Sequence, residues 1–550
     1  MVERIPSSAA EPSPARSLPR KPTVFLALVA LAALAYLAGL NALPLSDPDE
    51  VFYAQTAREM LQHHSPLTPL LFGHAQFEKP PLTYWCLMAS FEVLGVKPWS
   101  ARLIPAVFGL LGVLATYRFG RRVLAERTAA LAAAIQATAM VYLGQSIALL
   151  TDMVFTSLIV VSMWAFYVWV SERRSWYLHL FGAAAALAVL AKGPVGIVLE
   201  LVAVLAFLLA TGRRAELGSF LTHPWWLVFL ALGAPWYAYA TLTYGRTFTW
   251  EFLVHDNWHR ILAAEHTNFD NQYFYPAVIV AGMFPWTPLL AYLGAGWRRH
   301  RHMMVFLAAW FCAVYAIFGI AHSKLASYIL PLFPPLAVAL ALALDTSEER
   351  RRRTLAAASM FVVFGAGLVA VPFAVKGALA ADLRPVLLVV AGFGVVQIAC
   401  AALLALRRPA PAIILNAVGF LGVVIAATLS LPPSATAGFT DADTARIVKE
   451  EGLAGQTVVA SKLYARGVYF HSGSPIAVMD RRPNPFWSPH PVEVLWQDEQ
   501  LRAFFGERDK VLCVVRPGDV ERLDRLFAGV RTQRVLSSAF ERMVVLSVRN

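Results

Sequence analysis

The 550-residue sequence has few charged residues, few cysteines and fewer acidic than basic side chains. Charged residues make up 15% of the chain and hydrophobic residues 58%, whereas soluble domains average roughly 25% and 45–50%. A soluble protein is therefore excluded for most of the chain. The four cysteines, Cys86, Cys312, Cys400 and Cys513, form no CxxC pair and no metal-binding spacing, so redox and zinc-finger functions have no support.

Apolar runs of about 18 to 22 residues recur along the chain, and each can cross a ~30 Å hydrocarbon core. We predict about 13 membrane-spanning helices, which begin near residues 22, 101, 128, 153, 177, 195, 225, 273, 303, 327, 355, 386 and 411. Residues 1–21, rich in Ser, Pro and Ala, are expected to form a disordered cytoplasmic tail before an uncleaved first span.

Arginine clusters fall in alternate loops, which the positive-inside rule assigns to the cytoplasm. The clusters are Arg121–Arg122, Arg173–Arg174, Arg213–Arg214, Arg298–Arg299, Arg350–Arg353 and Arg407–Arg408. They explain the net charge of +12 without a nucleic-acid surface. The N-terminus is therefore predicted to be cytoplasmic, with loop 44–100 and everything after Leu431 on the outer, periplasmic side.

These patterns predict three regions: the tail 1–21, an all-α polytopic membrane domain 22–431, and a periplasmic domain 432–550. In the first outer loop, 44–100, residues 50–63 have the apolar spacing of a helix lying in the membrane interface, and residues 82–94 are a second candidate. After Leu431 the charged residues return. Short β-like runs at 457–460, 511–515 and 543–548 alternate with helical runs at 441–451 and 520–527, which predicts a small α/β domain without a catalytic motif.

Carboxylates mark two places on the outer face. Asp152 begins an apolar run, where a charge is costly unless it is paired or functional; the alternative is an N-terminal helix cap. The turn Asp47–Glu50 precedes the first interfacial helix, and its alternative is ordinary capping by Asp47 or Asp49.

The run Phe77–Pro81 (Phe-Glu-Lys-Pro-Pro) places an acid and a base before two prolines, which stop a helix and hold the backbone extended. Glu78 and Lys79 would be fixed at the membrane surface, unless they are only a solvated charge pair. His255 and His259 are four residues apart and could share a helix face, so that with Glu78 they offer ligands for a divalent metal.

Basic residues on the same outer face complete this pattern. They are Lys79, Lys192, Arg260 and Lys324. Lys192 lies between two apolar runs, where a cation either finds an anion or extends outward to the membrane surface. Several cations together with several carboxylates indicate a pocket for a phosphate, with acidic groups around a reacting centre.

Several of these motifs together resemble the protein O-mannosyltransferase-like superfamily of GT-C membrane glycosyltransferases, and most closely the bacterial aminoarabinose transferases that modify lipid A. The resemblance rests on the following segments: Asp47–Glu50 with Tyr53 and Arg58–Met60, Phe77–Leu82, Arg102–Leu103, Leu150–Asp152, Leu190–Gly193, His255–Arg260, Phe284–Trp286 and Ser323–Pro331. It covers most of the membrane domain.

The resemblance implies an inverting transfer of a hexosyl or pentosyl group from a polyprenyl-phosphate donor to a periplasmic acceptor, in the bacterial inner membrane. Asp49 would activate or orient the acceptor, and Asp152 would be the second carboxylate of the site. The donor phosphate would be held by Lys79, Lys192, Arg260 and Tyr328. Glu78 with His255 resembles a metal-binding pair, for zinc or a similar divalent ion; no nucleotide cofactor is expected.

The sequence leaves several alternatives open. Asp256 and His259 compete with His255 as the metal ligand, and Asp47 and Glu50 compete with Asp49. The acceptor could be a lipid A phosphate, a protein or an envelope glycan. Outside the enzyme class, the alternatives are a transporter or flippase for a lipid-linked sugar, and an assembly factor without catalytic activity. A transporter would place its polar groups near the bilayer midplane and show internal repeats.

Overall fold

The computed structural model describes residues 22–40, 44–46, 48–252, 271–322, 324–346, 351–376, 381–432, 440–483, 492–539 and 541–550. Its first part, the membrane part (22–432), is helical apart from one short hairpin. The remainder, the C-terminal unit (440–550), contains a six-stranded sheet. This division agrees with the predicted combination of an all-α membrane domain and a small α/β domain.

The membrane part begins with twelve helices and a hairpin, here numbered in chain order. They are α1 (Thr23–Gly39), α2 (Asp49–Gln62), β1 (Leu70–Leu71), β2 (His74–Ala75), α3 (Leu82–Leu94), α4 (Pro98–Val123), α5 (Glu126–Thr138), α6 (Met140–Ile147), α7 (Thr151–Glu172), α8 (Trp176–Lys192), α9 (Val195–Ala210), α10 (Arg214–Thr222), α11 (Trp225–Tyr244) and α12 (Arg246–Phe248). After the gap at 253–270 follow α13 (Phe274–Gly282), a 3-10 helix (Thr287–Ala295), α14 (Arg301–Ile320), a second 3-10 helix (Ala326–Leu332), α15 (Phe333–Thr346), α16 (Arg351–Ala374), α17 (Arg384–Ala405) and α18 (Pro409–Ser430).

Eight helical segments among the described residues are long and apolar enough to cross a bilayer, or ten if each sharply bent pair counts as one span. The bent pairs are α5 with α6 (61°) and α13 with the 3-10 helix that follows it (98°). Three shorter apolar helices, α1, α8 and α9, also begin near predicted span starts. Each of the 13 predicted starts therefore lies near the beginning of a helix, while the count of 13 spans stays a prediction.

Helix α7 lies at the centre of the bundle, and almost every one of its residues is buried. It packs against α4, α8 and α9 and contributes several aromatic side chains to one large apolar core. Because α7 begins at Thr151, the carboxylate of Asp152 lies at the end of the most buried helix. The two interfacial helices predicted in loop 44–100 are confirmed as helices by α2 and α3, which form a separate apolar cluster with the hairpin.

The C-terminal unit is a mixed sheet covered by helices on both faces. Its elements are α19 (Thr444–Glu450), β3 (Val458–Ser461), α20 (Ala465–Ser472), β4 (Ile476–Met479), β5 (Glu493–Leu495), α21 (Asp498–Gly506), β6 (Lys510–Val515), α22 (Pro517–Leu526), β7 (Arg531–Ala539) and β8 (Arg542–Arg549). The strand order is β5-β4-β3-β6-β8-β7, parallel from β5 to β6 and antiparallel thereafter.

The strand residues of this sheet alternate between two cores. Val458 and Ala460 face the core that contains α19 and α20, and Val459 and Cys513 face the core that contains α21 and α22. Burial on both faces explains why the strands read as nearly continuous apolar runs in the sequence. The three predicted strands and two predicted helices are confirmed, whereas β4, β5, β7, α20 and α21 have no counterpart in the sequence prediction.

Candidate active site

Glu50, a predicted competitor of Asp49, forms a buried ion pair with Arg102. The guanidinium donates from Nε (2.8 Å) and Nη2 (2.5 Å) to the two carboxylate oxygens, and both side chains are 6% exposed. The carboxylate also accepts from the N–H groups of Leu149 (2.8 Å) and Ser46 (2.9 Å). Burial alone would raise the pKa of Glu50, but these donors bring that pKa below its usual range. Glu50 thus ties α2 to α4 and to the segment before α7.

Asp49, the neighbouring residue, is the first residue of α2 and has a different environment. The N-cap residue of α2 is Pro48, so Asp49 is not the capping residue. Solvent reaches the Asp49 side chain, yet the surrounding protein removes enough hydration to raise the pKa of its carboxyl. The charge of Arg466 opposes this rise in pKa, those of Glu78 and Asp152 add to it, and that of Lys79 opposes it.

Glu78 and Lys79 lie in the Phe77–Pro81 run between the hairpin and α3. The backbone here is held by Gln76, whose Oε1 accepts from the N–H of Glu78 at 2.8 Å. Lys79 Nζ donates to the carbonyl oxygen of Glu78 at 2.6 Å. The Glu78 side chain is buried and accepts from Arg466 Nη2 at 2.8 Å. This burial contradicts the alternative of a solvated charge pair.

Asp152 and Lys192 form a buried ion pair, with their side chains 8% and 9% exposed. The helices α7 and α8 pack side by side, so the first turn of one meets the last residue of the other. The Lys192 ammonium also lies 4.8 Å from the centre of the Tyr328 ring. Asp152 is therefore paired with a cation, which offsets the cost of a charge at the end of a buried membrane helix. The N-cap residue of α7 is Leu150, so Asp152 is not the helix cap.

The structure groups the described members of the predicted site at one end of the bundle. Those members are Asp49, Glu78, Lys79, Asp152, Lys192 and Tyr328. Asp47, His255, Asp256, His259 and Arg260 lie outside the described residues. Sequence reasoning missed Arg466, which comes from helix α20 of the C-terminal unit, 138 positions after Tyr328, the nearest of the other members. No local pattern marks it, because it is one arginine among many in a region without a catalytic motif.

The predicted metal pair can be tested at Glu78. Its Oε1 accepts a hydrogen bond from a guanidinium, and a cation bound at the same oxygen would be repelled by that guanidinium. Within the described ranges, no group of three or more His, Cys, Asp and Glu side chains is arranged to hold a metal. Glu78 thus has a guanidinium partner, while His255, the other predicted ligand, lies outside the described residues, so the metal stays a prediction.

A bundle of long apolar helices, with two further helices in its first long loop and charged groups gathered at one end, is the architecture expected of a GT-C membrane protein. The solved structure of ArnT from Cupriavidus metallidurans bound to undecaprenyl phosphate has this fold, with a TM-score of 0.78 at 22% identity. That match covers 95% of this chain and 97% of that one. Residues 78–239 match the family model described as dolichyl-phosphate-mannose-protein mannosyltransferase. The resemblance to GT-C aminoarabinose transferases is thus confirmed.

Two curated relatives are named undecaprenyl phosphate-alpha-4-amino-4-deoxy-L-arabinose arabinosyl transferase. The relative from Pectobacterium atrosepticum is 31% identical over 332 residues, which are 57% of this chain and 58% of the relative. The one from Pseudomonas paraeruginosa is 30% identical over 334 residues, 58% of this chain and 59% of the relative. The chain thus matches less than two thirds of the length of either relative.

Proposed function

We propose that the chain is an inner-membrane glycosyltransferase that transfers a sugar from a polyprenyl-phosphate donor to an acceptor on the periplasmic side. The observation that carries the proposal is the buried ion pair of Asp152 and Lys192 at one end of the bundle, with Asp49 close enough to interact electrostatically with Asp152. A site that handles a charged lipid headgroup belongs at the end of the bundle, whereas a transporter binds its substrate near the midplane. The names of the curated relatives support the same reaction class.

The proposed topology has 13 spans, a cytoplasmic N-terminus and periplasmic residues after Leu431. The proposed boundaries are 1–21 for the tail, 22–431 for the membrane domain and 432–550 for the outer domain. Support for this orientation comes from the arginine clusters in alternate loops. In this topology the periplasmic side, where the donor headgroup and the acceptor meet, holds the charged residues of the site: Asp49, Glu78, Lys79, Asp152 and Lys192.

The proposed reaction forms a bond between an acceptor oxygen and the anomeric carbon as the bond from that carbon to the donor phosphate breaks. The electron pair of the broken bond stays on the polyprenyl phosphate, and the configuration at the carbon inverts. Lys79, Lys192 and Arg260 stabilise the negative charge of the leaving phosphate, and Tyr328, whose ring lies beside the Lys192 ammonium, contacts the same phosphate. Lys192 is already paired with Asp152, so it would link that carboxylate to the phosphate.

Asp49 takes the proton when the acceptor is a hydroxyl, a general-base role typically worth about 10²–10⁴-fold. When the acceptor is an anionic phosphate, such as that of lipid A, Asp49 orients the acceptor instead. Asp152 faces the sugar, where it stabilises developing positive charge or binds hydroxyl groups. Neither role requires a nucleotide cofactor.

The test uses purified full-length protein with radiolabelled polyprenyl-phosphate sugars and a crude envelope extract as the source of acceptors. Wild type is compared with Asp49→Asn and Asp152→Asn. Glu92→Gln is the matched control, because Glu92 is an exposed carboxylate on α3 in the same outer loop. We expect transfer by wild type and the control, and its loss in both aspartate variants. Donor binding without transfer by wild type would contradict the proposal and favour a transporter.

A further inference from the structure

Helix α20 of the C-terminal unit packs directly on α2 and the hairpin of the first outer loop. Arg58 of α2 donates from Nη1 to the carbonyl oxygen of Phe470 at 2.9 Å, and its guanidinium lies 4.7 Å from the centre of the Phe470 ring. Next to this contact, the rings of Phe72 and Tyr469 are 4.9 Å apart. Polar and aromatic contacts together fix the position of α20 over the outer end of the membrane part.

Arg466, in the first turn of α20, extends from this docked helix into the group of carboxylates. Its guanidinium forms the 2.8 Å ion pair with Glu78 and lies 4.4 Å from the centre of the Phe52 ring. The side chains of Arg466 and Glu78 are only 11% and 9% exposed. A charge pair removed from water to this degree keeps its geometry, because losing either partner leaves the other charge buried and uncompensated.

The positive charge of Arg466 reduces the electrostatic repulsion among the carboxylates near it. Glu78 and Asp152 are each close enough to Asp49 to act on its charge, and a donor phosphate would bring further negative charge to the same place. A guanidinium is always charged and donates in a fixed planar geometry, so it suits the task of holding a carboxylate beside an anion.

We infer that Arg466 is a positioning residue of the active site, which holds the Glu78 carboxylate and offsets the negative charge that the donor phosphate meets. The C-terminal unit thereby completes the site, and the carboxylate that resembles a metal ligand is held by a guanidinium instead. The kinetic test of this inference rests on the proposed function, whereas its binding test does not require sugar transfer.

The kinetic test compares full-length wild type with Arg466→Ala, Arg466→Lys, Glu78→Gln and the double variant Arg466→Ala with Glu78→Gln. Arg446→Ala is the matched control, since Arg446 is an exposed arginine of the same unit that pairs only with Glu450 among the described residues. We expect Arg466→Ala to lower kcat/KM at least tenfold, Arg466→Lys to recover part of the loss, and the control to match wild type. The double variant should lose less than the product of the two single losses.

The binding test measures the Kd of undecaprenyl phosphate for the same variants. We expect Arg466→Ala to weaken binding at least tenfold, because three carboxylates then face the phosphate with one cation fewer. If wild type transfers no sugar from any donor, the proposed function fails, and this Kd still decides the inference. An unchanged Kd in Arg466→Ala, or single losses in kcat/KM that simply multiply in the double variant, would overturn it.

A third measurement addresses the metal by elemental analysis of the purified protein after exposure to zinc. We expect wild type and Glu78→Gln to retain the same amount of zinc per chain, because Glu78 is held by Arg466. Stoichiometric zinc in wild type that disappears in Glu78→Gln would show that Glu78 is a metal ligand and would contradict the inference.

Discussion

Asp49 and Glu50 are adjacent carboxylates whose pKa values move in opposite directions because their partners differ. Glu50 receives a guanidinium and backbone N–H groups, which stabilise its charge. Asp49 loses hydration and lies near two further carboxylates, which destabilises its charge. The environment of Glu50 suits a carboxylate that stays ionised in a structural ion pair, and the environment of Asp49 suits a carboxylate that exchanges a proton.

Asp49→Asn and Glu50→Gln therefore form a matched pair of substitutions. We expect Asp49→Asn to lower kcat about 10²–10⁴-fold and to change the free energy of unfolding by less than about 0.5 kcal/mol. Glu50→Gln should lower that free energy by about 3 kcal/mol, because it leaves Arg102 buried without its counter-charge. Transfer assays and thermal unfolding of the same preparations measure both. Equal effects of the two substitutions on stability would contradict the assignment of Glu50 as the structural carboxylate and Asp49 as the general base.

The raised pKa of Asp49 predicts the acid limb of the pH profile. A general base must be ionised, so kcat/KM should rise with pH through the pKa of Asp49, at a higher pH than an ordinary aspartate would give. The negative charge of Glu78 contributes to the raised pKa, so Glu78→Gln should move the acid limb to lower pH. A limb that stays in place or moves to higher pH in this variant would contradict the role of Asp49. The measurement is kcat/KM against pH for wild type and variant.

Among the elements, α2 connects three parts of the molecule. Its first turn is tied to α4 through Glu50, and Arg58 contacts the C-terminal unit. Near its end, the carboxylate of Glu59 accepts the N–H groups of Phe72 (3.0 Å) and Gly73 (2.7 Å) at the turn of the hairpin. The hairpin in turn presents Phe72 to α20. The position of Arg466 therefore depends on α2 and on the shape of this turn.

Gly73 adopts a left-handed conformation, with φ of 77°, at the tip of the hairpin. A Cβ there would meet no atom within 4 Å, so the cost of a substitution is conformational rather than steric crowding. We expect Gly73→Ala to lower the free energy of unfolding by about 1–2 kcal/mol, measured by thermal unfolding.

Gly144 in α6 is the matched control for that substitution, because it also has open space around a Cβ but is helical. Gly144→Ala should be neutral or should stabilise the protein by up to about 1 kcal/mol. A loss of stability of the same size in both variants would show that the turn conformation is not the cause.

At the scale of the whole molecule, the site and the C-terminal unit both face the periplasm in the proposed topology. A phosphatase reporter that is active only outside the cytoplasm, fused after Leu431, is expected to be active, and a fusion after Arg408 is expected to be inactive. The physical reason is the distribution of arginine between alternate loops. Activity of the second fusion rather than the first would place the site in the cytoplasm and exclude a periplasmic acceptor.

Much of the fold was predictable because its signals are local. Long apolar runs indicate membrane helices wherever they pack, and each of the 13 predicted starts lies near a helix. Helix α2 and the strand β6 were also predicted, since spacing along one segment is enough to indicate them. The strand β5 was missed because its three residues carry too little pattern, and β7 was missed because most of its nine residues are polar.

The sequence by itself determined the class of the protein and the places of the long apolar helices of its membrane part. Tertiary structure decided which charges meet: Glu50 with Arg102, Asp152 with Lys192, and Glu78 with Arg466. Apolar periodicity is a property of neighbouring residues, so one segment suffices to show it. An ion pair depends on two side chains that the packing of separate elements brings together. The spacing of residues along the chain does not indicate how far apart those two side chains lie in the folded protein.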